Sequence, residues 1–185
     1  MELNFEIFKK LLSLIDSSKK DKNYEFEARF WNKKEKDLIN ESNYNKIFQK
    51  LTFSKENNGL GYKYEMKNIL DIILSKNNSD NIRMSINDSD NIKKYWLTSS
   101  TEGLNPQFIE KEKIDKVDDE NYNIRFSLNN ELPQNNLLQK NINLLSSNNF
   151  EKTYRLKNRY SIKTDDNLFS IDMSSVKMGT GKSFK

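Results

Sequence analysis

Charged and large apolar residues alternate over residues 24–31, where the chain reads Tyr-Glu-Phe-Glu-Ala-Arg-Phe-Trp. Because the side chains of a β-strand alternate between its two faces, Glu25, Glu27 and Arg29 share one face. An ordinary half-buried strand has this pattern. A second interpretation is a pair of carboxylates that binds a hard divalent cation, since Glu25 and Glu27 project in parallel from one element.

The remaining apolar pattern predicts two helices followed by a series of strands. Apolar residues at helical spacing predict an amphipathic helix over residues 2–16 and a second helix over residues 42–52. From about residue 59 the period shortens to two, which predicts strands separated by turns rich in Asn, Asp and Ser. The predicted strands are 62–67, 82–86, 93–98, 107–114, 121–132, 150–163 and 167–177, with a turn at 87–91. Segment 133–149 is predicted to be a loop with a short helix.

The order of these elements predicts a fold that is mainly β with short helices. Successive strands joined by short polar turns are typical of an antiparallel meander. Because nearly every strand carries charges on one face, we expect an antiparallel β-barrel with a polar lumen, and an open sheet with one wet face is the alternative. The 185 residues are enough for one domain with a real core.

Composition narrows the possible chemistry. The chain contains no cysteine and no histidine, which excludes disulfides, thiolate nucleophiles and any catalytic triad built on histidine. The net charge of +4 permits an anionic ligand without demanding nucleic acid. No apolar run reaches the length of a membrane span and no signal-peptide pattern is present, so we expect an intracellular protein without a membrane partner.

Arginine is scarce in this lysine-rich chain, and all five arginines lie in segments with strand-like patterns. They are Arg29, Arg83, Arg125, Arg155 and Arg159. A guanidinium grips a phosphate through two parallel hydrogen bonds, whereas lysine offers a point charge. Arginines kept in a lysine-rich chain therefore favour phosphate recognition, although five residues are few enough for chance.

A cluster of positive charges lies on one predicted strand. Arg155, Lys157 and Arg159 are spaced by two, so their side chains point the same way and repel one another. On a solvated face the cluster would be a basic stripe for nucleic acid. Inside a barrel it requires an anion, and a triphosphate fits that requirement. Asp172 on the next strand either pairs with one of the cations or is an ordinary surface residue.

Five motifs follow one another along the chain: Glu-x-Glu at 25–27, Ile-Arg-x-Ser around Arg83, Ser-Leu-Asn-x-Glu-Leu-Pro ending at Pro133, Arg-x-Lys-x-Arg at 155–159 followed by Tyr-Ser, and Ile-Asp at 171–172. In this order they resemble the motifs of the metal-dependent RNA 5′-triphosphatases of fungi and large DNA viruses, which are triphosphate tunnel metalloenzymes. The resemblance covers about residues 23–178. It implies an antiparallel barrel of about eight strands whose hydrophilic tunnel binds the 5′-triphosphate of RNA.

The resemblance also implies roles for individual residues. Glu25 and Glu27 correspond to the ligands of Mg²⁺ or Mn²⁺. The corresponding catalytic residues are Glu131, Arg83, Arg155, Lys157, Arg159 and Asp172, and the substrate-binding residues are Arg125, Lys111 and Lys113. We expect these side chains to face one lumen. The family carries a second Glu-x-Glu strand after the one with Asp172, and this chain has none before Lys185, so we expect the single domain to lack the last tunnel strand or strands.

The implied activity is removal of the γ-phosphate from triphosphate-ended mRNA, the first step of cap formation. Guanylyltransferase and methyltransferase domains, in the same or a partner chain, are the implied partners, and the location would be the cytoplasm or, for a virus, the viral factory or virion. Two alternatives stay open. One is a tunnel-family triphosphatase or cyclase acting on a small triphosphate, and the other is a non-catalytic RNA-binding β-module.

Overall fold

The computed structural model describes residues 4–30, 39–53, 62–75, 82–134, 142–143, 145, 151–164 and 169–180. Its helices are α1 (Phe5–Ser18), α2 (Glu41–Phe53) and α3 (Ser89–Thr98). Its strands are β1 (Tyr24–Phe30), β2 (Tyr62–Ser75), β3 (Ile82–Asn87), β4 (Gln107–Asp119), β5 (Ile124–Pro133), β6 (Glu151–Thr164) and β7 (Ser170–Gly179). The prediction of a mainly β fold with short helices is confirmed.

The chain divides into two compact units. The first comprises Met1–Asn45 and Glu110–Leu132, and the second comprises Lys46–Ile109 and Pro133–Lys185. The hydrogen-bonded order of the strands is β1-β5-β4-β3-β2-β6-β7, and β4 contributes residues to both units. The pairs β1–β5, β2–β3, β2–β6 and β6–β7 are all antiparallel, as predicted.

The simple meander is wrong at two places, because β6 returns to pair with β2 and β1 pairs with β5. The β2–β6 pair runs over the whole length of both strands, from Tyr62↔Thr164 to Ser75↔Glu151. Short turns in the sequence predict only local hairpins. A pairing between distant segments depends instead on matching apolar and polar faces, which a single segment does not reveal.

In the first unit, α1 covers one face of β1. Asn4 caps this helix, since its side-chain oxygen accepts a hydrogen bond of 2.9 Å from the backbone N–H of Glu6. The helix packs against β1 and buries Leu14. The Phe26 and Phe126 rings stack across the β1–β5 pair with centroids 6.2 Å apart. Because strand side chains alternate, the opposite face of β1 carries Glu25 and Glu27.

In the second unit, the core lies on one face of the strand pairs. Leu70, Ile72 and Leu74 of β2 are completely buried, together with Met84 of β3 and Phe108. They form one apolar cluster with residues of α3. Burial of such side chains is the main favourable term in folding. The alternate residues of these strands therefore make up the other face of the sheet.

Residues 89–98 form helix α3, so the strand predicted over 93–98 and the turn predicted at 87–91 are wrong. The Asp88 side chain caps the helix through a 3.0 Å bond from the N–H of Asp90. Ile92, Tyr95 and Trp96 recur at helical spacing and join the core cluster. The alternation at Lys93, Tyr95 and Leu97 fits a strand equally well over five residues. The cap and the longer spacing decide for the helix.

The helices predicted over 2–16 and 42–52 and the other strands are confirmed, with ends that differ by several residues, and β2 extends well beyond its prediction. Most of the loop predicted at 133–149 lies outside the described residues. Among the helices that the structure describes, none is long and apolar enough to cross a membrane.

We expect Ile72→Ala to lower the free energy of unfolding by about 2–5 kcal/mol, because it empties a fully buried site in the second unit. Urea denaturation followed by far-UV circular dichroism measures this loss. Leu97→Ala is the control, since Leu97 is 75% exposed and its truncation should cost no more than about 0.5 kcal/mol. Equal losses for the two variants would contradict the assignment of the core face.

Candidate functional site

One face of the sheet in the second unit carries most of the predicted basic residues. Strand partners share a face, and the register pairs Asp71 with both Arg155 and Ser85, and Arg159 with Ser174. We call this surface the basic face and define it by Arg83, Ser85, Asp71, Arg155, Lys157, Arg159, Ser161, Asp172 and Ser174. It lies opposite the apolar core face, because these residues alternate along their strands with the core residues.

A buried ion pair lies in the middle of the basic face. The Lys157 ammonium contacts Oδ2 of Asp71, and the hydroxyl of Ser85 donates a 2.7 Å hydrogen bond to Oδ1. Asp71 is 1% exposed and Lys157 is 6% exposed. Each carboxylate oxygen of Asp71 therefore has a partner, and the lysine is fixed in position by the ion pair.

The surroundings of this pair shift both pKa values. Burial opposes ionisation of Asp71, but Lys157, the Ser85 hydroxyl and the charge of Arg83 together hold the pKa of Asp71 below its ordinary value. Burial lowers the pKa of Lys157, and the charges of Arg155 and Arg159 lower it further, which Asp71 offsets only in part. The lysine on this face therefore holds its proton less tightly than an ordinary lysine does.

A second anchored cation lies on the same face. Nη1 of Arg159 is 3.1 Å from Oδ2 of Asp172, and its Nε donates to the Ser174 hydroxyl at 3.4 Å. The other oxygen of Asp172 accepts a 2.7 Å hydrogen bond from Ser161. Asp172 therefore orients the guanidinium of Arg159, as the ion-pair interpretation of this residue predicts.

In the first unit, carboxylates surround a single lysine. Nζ of Lys111, on β4, lies 2.7 Å from Glu25, 2.9 Å from Glu131 and 3.7 Å from Glu27. Although burial alone would lower the pKa of Lys111, its hydrogen bonds with Glu25 and Glu131 raise the pKa above its ordinary value. The ammonium occupies the point on which the three side chains converge.

The side chains around Lys111 carry the type of ligand atom that binds a hard divalent cation. Carboxylate oxygens are the ligands that Mg²⁺ and Mn²⁺ prefer, and the buried Ser127 hydroxyl, on the same face as Glu27, has no hydrogen-bond partner among the described residues. As arranged around Lys111, however, no group of three acidic side chains in the described part of the chain is placed to hold a metal ion. A metal ion would therefore require the ammonium to move away.

Two predicted substrate-binding residues lie elsewhere in this unit. Arg125 forms a two-pronged ion pair with Asp118, with hydrogen bonds of 2.6 and 3.0 Å. The hydrogen bond with Asp118 raises the pKa of Arg125. Lys113 is exposed and, two positions from Lys111 on β4, shares its face. Their roles in binding substrate stay predictions, as does the single lumen.

The fold is similar to that of solved RNA triphosphatases. A mimivirus capping-enzyme triphosphatase structure matches with a TM-score of 0.74 and 19% identity over 98% of this chain and 83% of that one. The RNA triphosphatase domain of a trifunctional mimivirus mRNA capping enzyme matches with a TM-score of 0.69 and 18% identity over 96% and 80%. The S. pombe RNA triphosphatase Pct1, solved with the Spt5 CTD, has a TM-score of 0.52 and 15% identity over 97% and 79%. No protein-family model and no curated protein matches.

These likenesses confirm the predicted fold. The chain has the antiparallel β fold of the tunnel-type RNA triphosphatases. Sequence reasoning missed Asp71, Ser85 and Ser127 as site residues. Asp71 carried a signal, because it is a lone carboxylate inside the apolar run Ile-Leu-Asp-Ile-Ile-Leu of β2, and a buried carboxylate needs a partner. Ser85 and Ser127 belong to the quoted motifs around Arg83 and before Pro133 but were given no role of their own, since small hydroxyl residues are common on both faces of strands.

We expect Asp71→Asn to lower the free energy of unfolding by about 3–5 kcal/mol at neutral pH, because it leaves the buried Lys157 without a counter-charge. Because the pKa of Asp71 is lowered in the folded protein, its negative charge makes its full contribution to stability at pH values above the unfolded-state pKa of 3.8. That contribution is lost as the pH falls through the folded-state pKa. The difference between parent and variant should therefore shrink progressively as the pH falls below 3.8 towards the folded-state pKa of Asp71.

Urea denaturation across this pH range measures the difference. Asp16→Asn is the control, because Asp16 forms an exposed ion pair with Lys19 and should produce a small difference at every pH. A loss for Asp71→Asn that does not decrease as the pH falls below 3.8 would contradict the charged pair.

Proposed function

We propose that this protein is an RNA 5′-triphosphatase, which hydrolyses triphosphate-ended RNA to diphosphate-ended RNA and inorganic phosphate. The observation that carries the proposal is the basic face, where Arg155, Lys157 and Arg159 project together from one strand. Its occurrence in a fold shared with capping-enzyme RNA triphosphatases supports this substrate. Each of those residues corresponds to a basic motif position that the sequence resemblance implies.

Electrostatics explain why such a face suits a triphosphate. Three cations on alternate positions of β6 repel one another, and a polyanion bound among them removes that cost. Two of the cations are already fixed, Lys157 by Asp71 and Arg159 by Asp172. Fixed donors stabilise the charge that develops on a transferring phosphoryl group without having to reorganise during the reaction.

Each basic residue would have a defined task. Arg159 would grip two oxygens of one phosphate through its planar fork, oriented by Asp172. Lys157 would place a point charge next to the transferring group. Arg83 on β3 and Arg155 on β6 would add charge on the two sides of β2, where Arg83 pairs with Ile73 and Arg155 with Asp71. The leaving diphosphate would keep its contacts with these cations after the bond breaks.

In the first unit, Glu25 and Glu27 would bind the divalent metal ion, for which we propose Mg²⁺ or Mn²⁺. Such an ion, when bound, polarises a phosphoryl oxygen and lowers the charge that an attacking water must approach. Glu131 would orient the attacking water through a carboxylate oxygen and accept its proton. Lys111, once released from these carboxylates, would carry its positive charge to a phosphate oxygen.

The cellular setting is also a proposal. The mimivirus triphosphatase is one domain of a trifunctional capping enzyme, which supports guanylyltransferase and methyltransferase activities as partners of this chain. Intracellular action, in the cytoplasm or a viral factory, fits a substrate that is nascent mRNA. A small triphosphate is the competing substrate, and comparison of phosphate release from triphosphate-ended RNA and from tripolyphosphate distinguishes the two.

We expect Arg159→Lys to lower the rate of phosphate release from triphosphate-ended RNA about a hundredfold in the full-length protein with Mn²⁺. Lysine keeps the charge but loses the fork, and loss of one such donor costs about 2–4 kcal/mol in the transition state. Lys177→Arg is the matched control, because Lys177 lies on the opposite face and should change the rate by less than about twofold. An Arg159→Lys rate near that of the parent would refute the proposed phosphate contact.

We expect Lys111→Met to tighten Mn²⁺ binding about fivefold, because the metal no longer competes with an ammonium for Glu25 and Glu27. A partly exposed ion pair of this kind contributes about 1 kcal/mol, which corresponds to that ratio. Isothermal titration calorimetry measures the dissociation constant independently of turnover. Lys113→Met, on the same face of β4, should leave it unchanged. Unchanged or weaker Mn²⁺ binding by Lys111→Met would show that the carboxylates bind no metal in competition with the lysine.

A further inference from the structure

A groove runs beside α3 in the second unit, with a volume of about 590 Å³. Its apolar lining comes from Ile92, Trp96 and Leu97 of the helix and from Leu156 of β6. Volumes of roughly 300–1,000 Å³ are typical of ligand-binding clefts. Leu97 is 75% exposed at the rim, so the groove is an open apolar surface and differs from the closed core beneath it.

The groove lies on the face of the sheet opposite the basic face. Leu156 pairs with Lys177 across β6 and β7, and both line the groove. Lys157, the next residue of β6, also contributes to the lining of the groove, but its ammonium lies on the other face, where it contacts Asp71. An occupant of the groove would therefore leave the cations of the basic face accessible.

The helical wall of the groove is held in place. The Asn68 side chain donates a 2.8 Å hydrogen bond to the Ser89 hydroxyl at the start of α3, and the Lys94 ammonium donates to the carbonyl of Glu102 at 2.9 Å near its end. The Trp96 ring packs edge-on against Tyr154, with centroids 5.9 Å apart. A wall fixed at both ends needs little rearrangement to bind a partner, which lowers the entropic cost of association.

The charges around the groove have one sign. Lys93 and Lys177 lie at its edge, both are exposed, and neither forms an ion pair among the described residues. No Asp or Glu side chain belongs to the described lining. Protein interfaces combine an apolar centre, often with Trp, and a polar rim whose charges complement those of the partner. An acidic partner with an apolar stripe has that complementarity.

We propose that this groove binds an acidic amphipathic helix of another protein, which would tether the enzyme to that partner without blocking the basic face. The apolar stripe of the helix, at i, i+3, i+4 and i+7, would lie on Trp96, Leu97 and Leu156. Its flanking carboxylates would pair with Lys93 and Lys177. The inference is independent of the proposed reaction, because the five side chains proposed to contact the helix lie outside the candidate catalytic set.

Fluorescence anisotropy with a labelled helical peptide tests this proposal. The peptide has 16 residues, a length that matches roughly four helical turns. It carries Leu at i, i+4, i+7 and i+11 and Glu or Asp at most other positions. We expect saturable binding to the full-length protein. Leu97→Glu should weaken it about tenfold or more, as for an interface hot spot. The double variant Lys93→Glu, Lys177→Glu should weaken it about fivefold and reduce its dependence on salt. Phosphate release from triphosphate-ended RNA should be unchanged in both.

Three controls decide the interpretation. Phe169→Glu introduces the same charge at a residue that is 72% exposed outside the groove, and it should bind the peptide as the parent does. A peptide with Lys in place of its acidic residues, and one with Ala in place of Leu, should each bind about tenfold more weakly. No saturable binding of the acidic peptide, or binding that survives Leu97→Glu or the Leu-to-Ala peptide, would overturn the proposal.

Discussion

The repulsion among like charges on β6 is the constraint on which the candidate site depends. Arg155, Lys157 and Arg159 share one face of a single strand, and a folded chain must offset that repulsion before any substrate arrives. The structure does so with one buried carboxylate, Asp71, and one exposed carboxylate, Asp172. Both lie on strands next to β6, Asp71 opposite Arg155 and Asp172 opposite Ser161. The counter-charges therefore also set the direction in which the cations point.

This arrangement stabilises the protein only under a condition. A buried ion pair costs several kcal/mol of desolvation per ion, and the pair compensates for that cost only when its remaining hydrogen bonds are satisfied. Ser85 satisfies the second oxygen of Asp71 at 2.7 Å. Apolar residues could fill this position without the desolvation cost of an ion pair. The presence of a charged pair on the face with the arginines is therefore consistent with a requirement for positive charge there.

In the first unit the clustered charges are negative, and an oppositely charged side chain again offsets their repulsion. Glu25, Glu27 and Glu131 would repel one another without the Lys111 ammonium between them. In both units the counter-ion is a side chain of the same chain. It occupies groups that would otherwise bind a ligand with the same charge as that side chain. A ligand then gains less than the full electrostatic attraction, because its binding must displace or share an existing partner.

The sequence predicted those parts of the site that depend on local periodicity. Period-two spacing was enough to place Arg155, Lys157 and Arg159 on one face, and the same logic paired Glu25 with Glu27. It was not enough to identify Asp71 as the partner of Lys157, because that contact requires β6 to pair with β2 across a separation of more than eighty residues. Helix α3 was missed for a related reason, since five alternating residues fit a strand until the Asp88 cap is considered.

The position of Lys111 depends on the same kind of distant pairing. Its neighbours come from β1 and β5, and nothing in the sequence around β4 distinguishes it from Lys113 or Lys116. The fold itself was more predictable than the contacts, because the alternation of apolar and polar positions is repeated in nearly every strand.

We infer that the basic face binds a polyphosphate, and the shift in thermal midpoint caused by tripolyphosphate tests this inference. A ligand that binds only the folded protein adds about 2.7 kcal/mol of stability at a hundred times its dissociation constant and so raises the midpoint. We expect a saturable rise with tripolyphosphate that exceeds the rise with sulfate at equal ionic strength and is largely lost in Arg159→Gln. A midpoint that responds equally to the two anions, or equally in parent and variant, would contradict it.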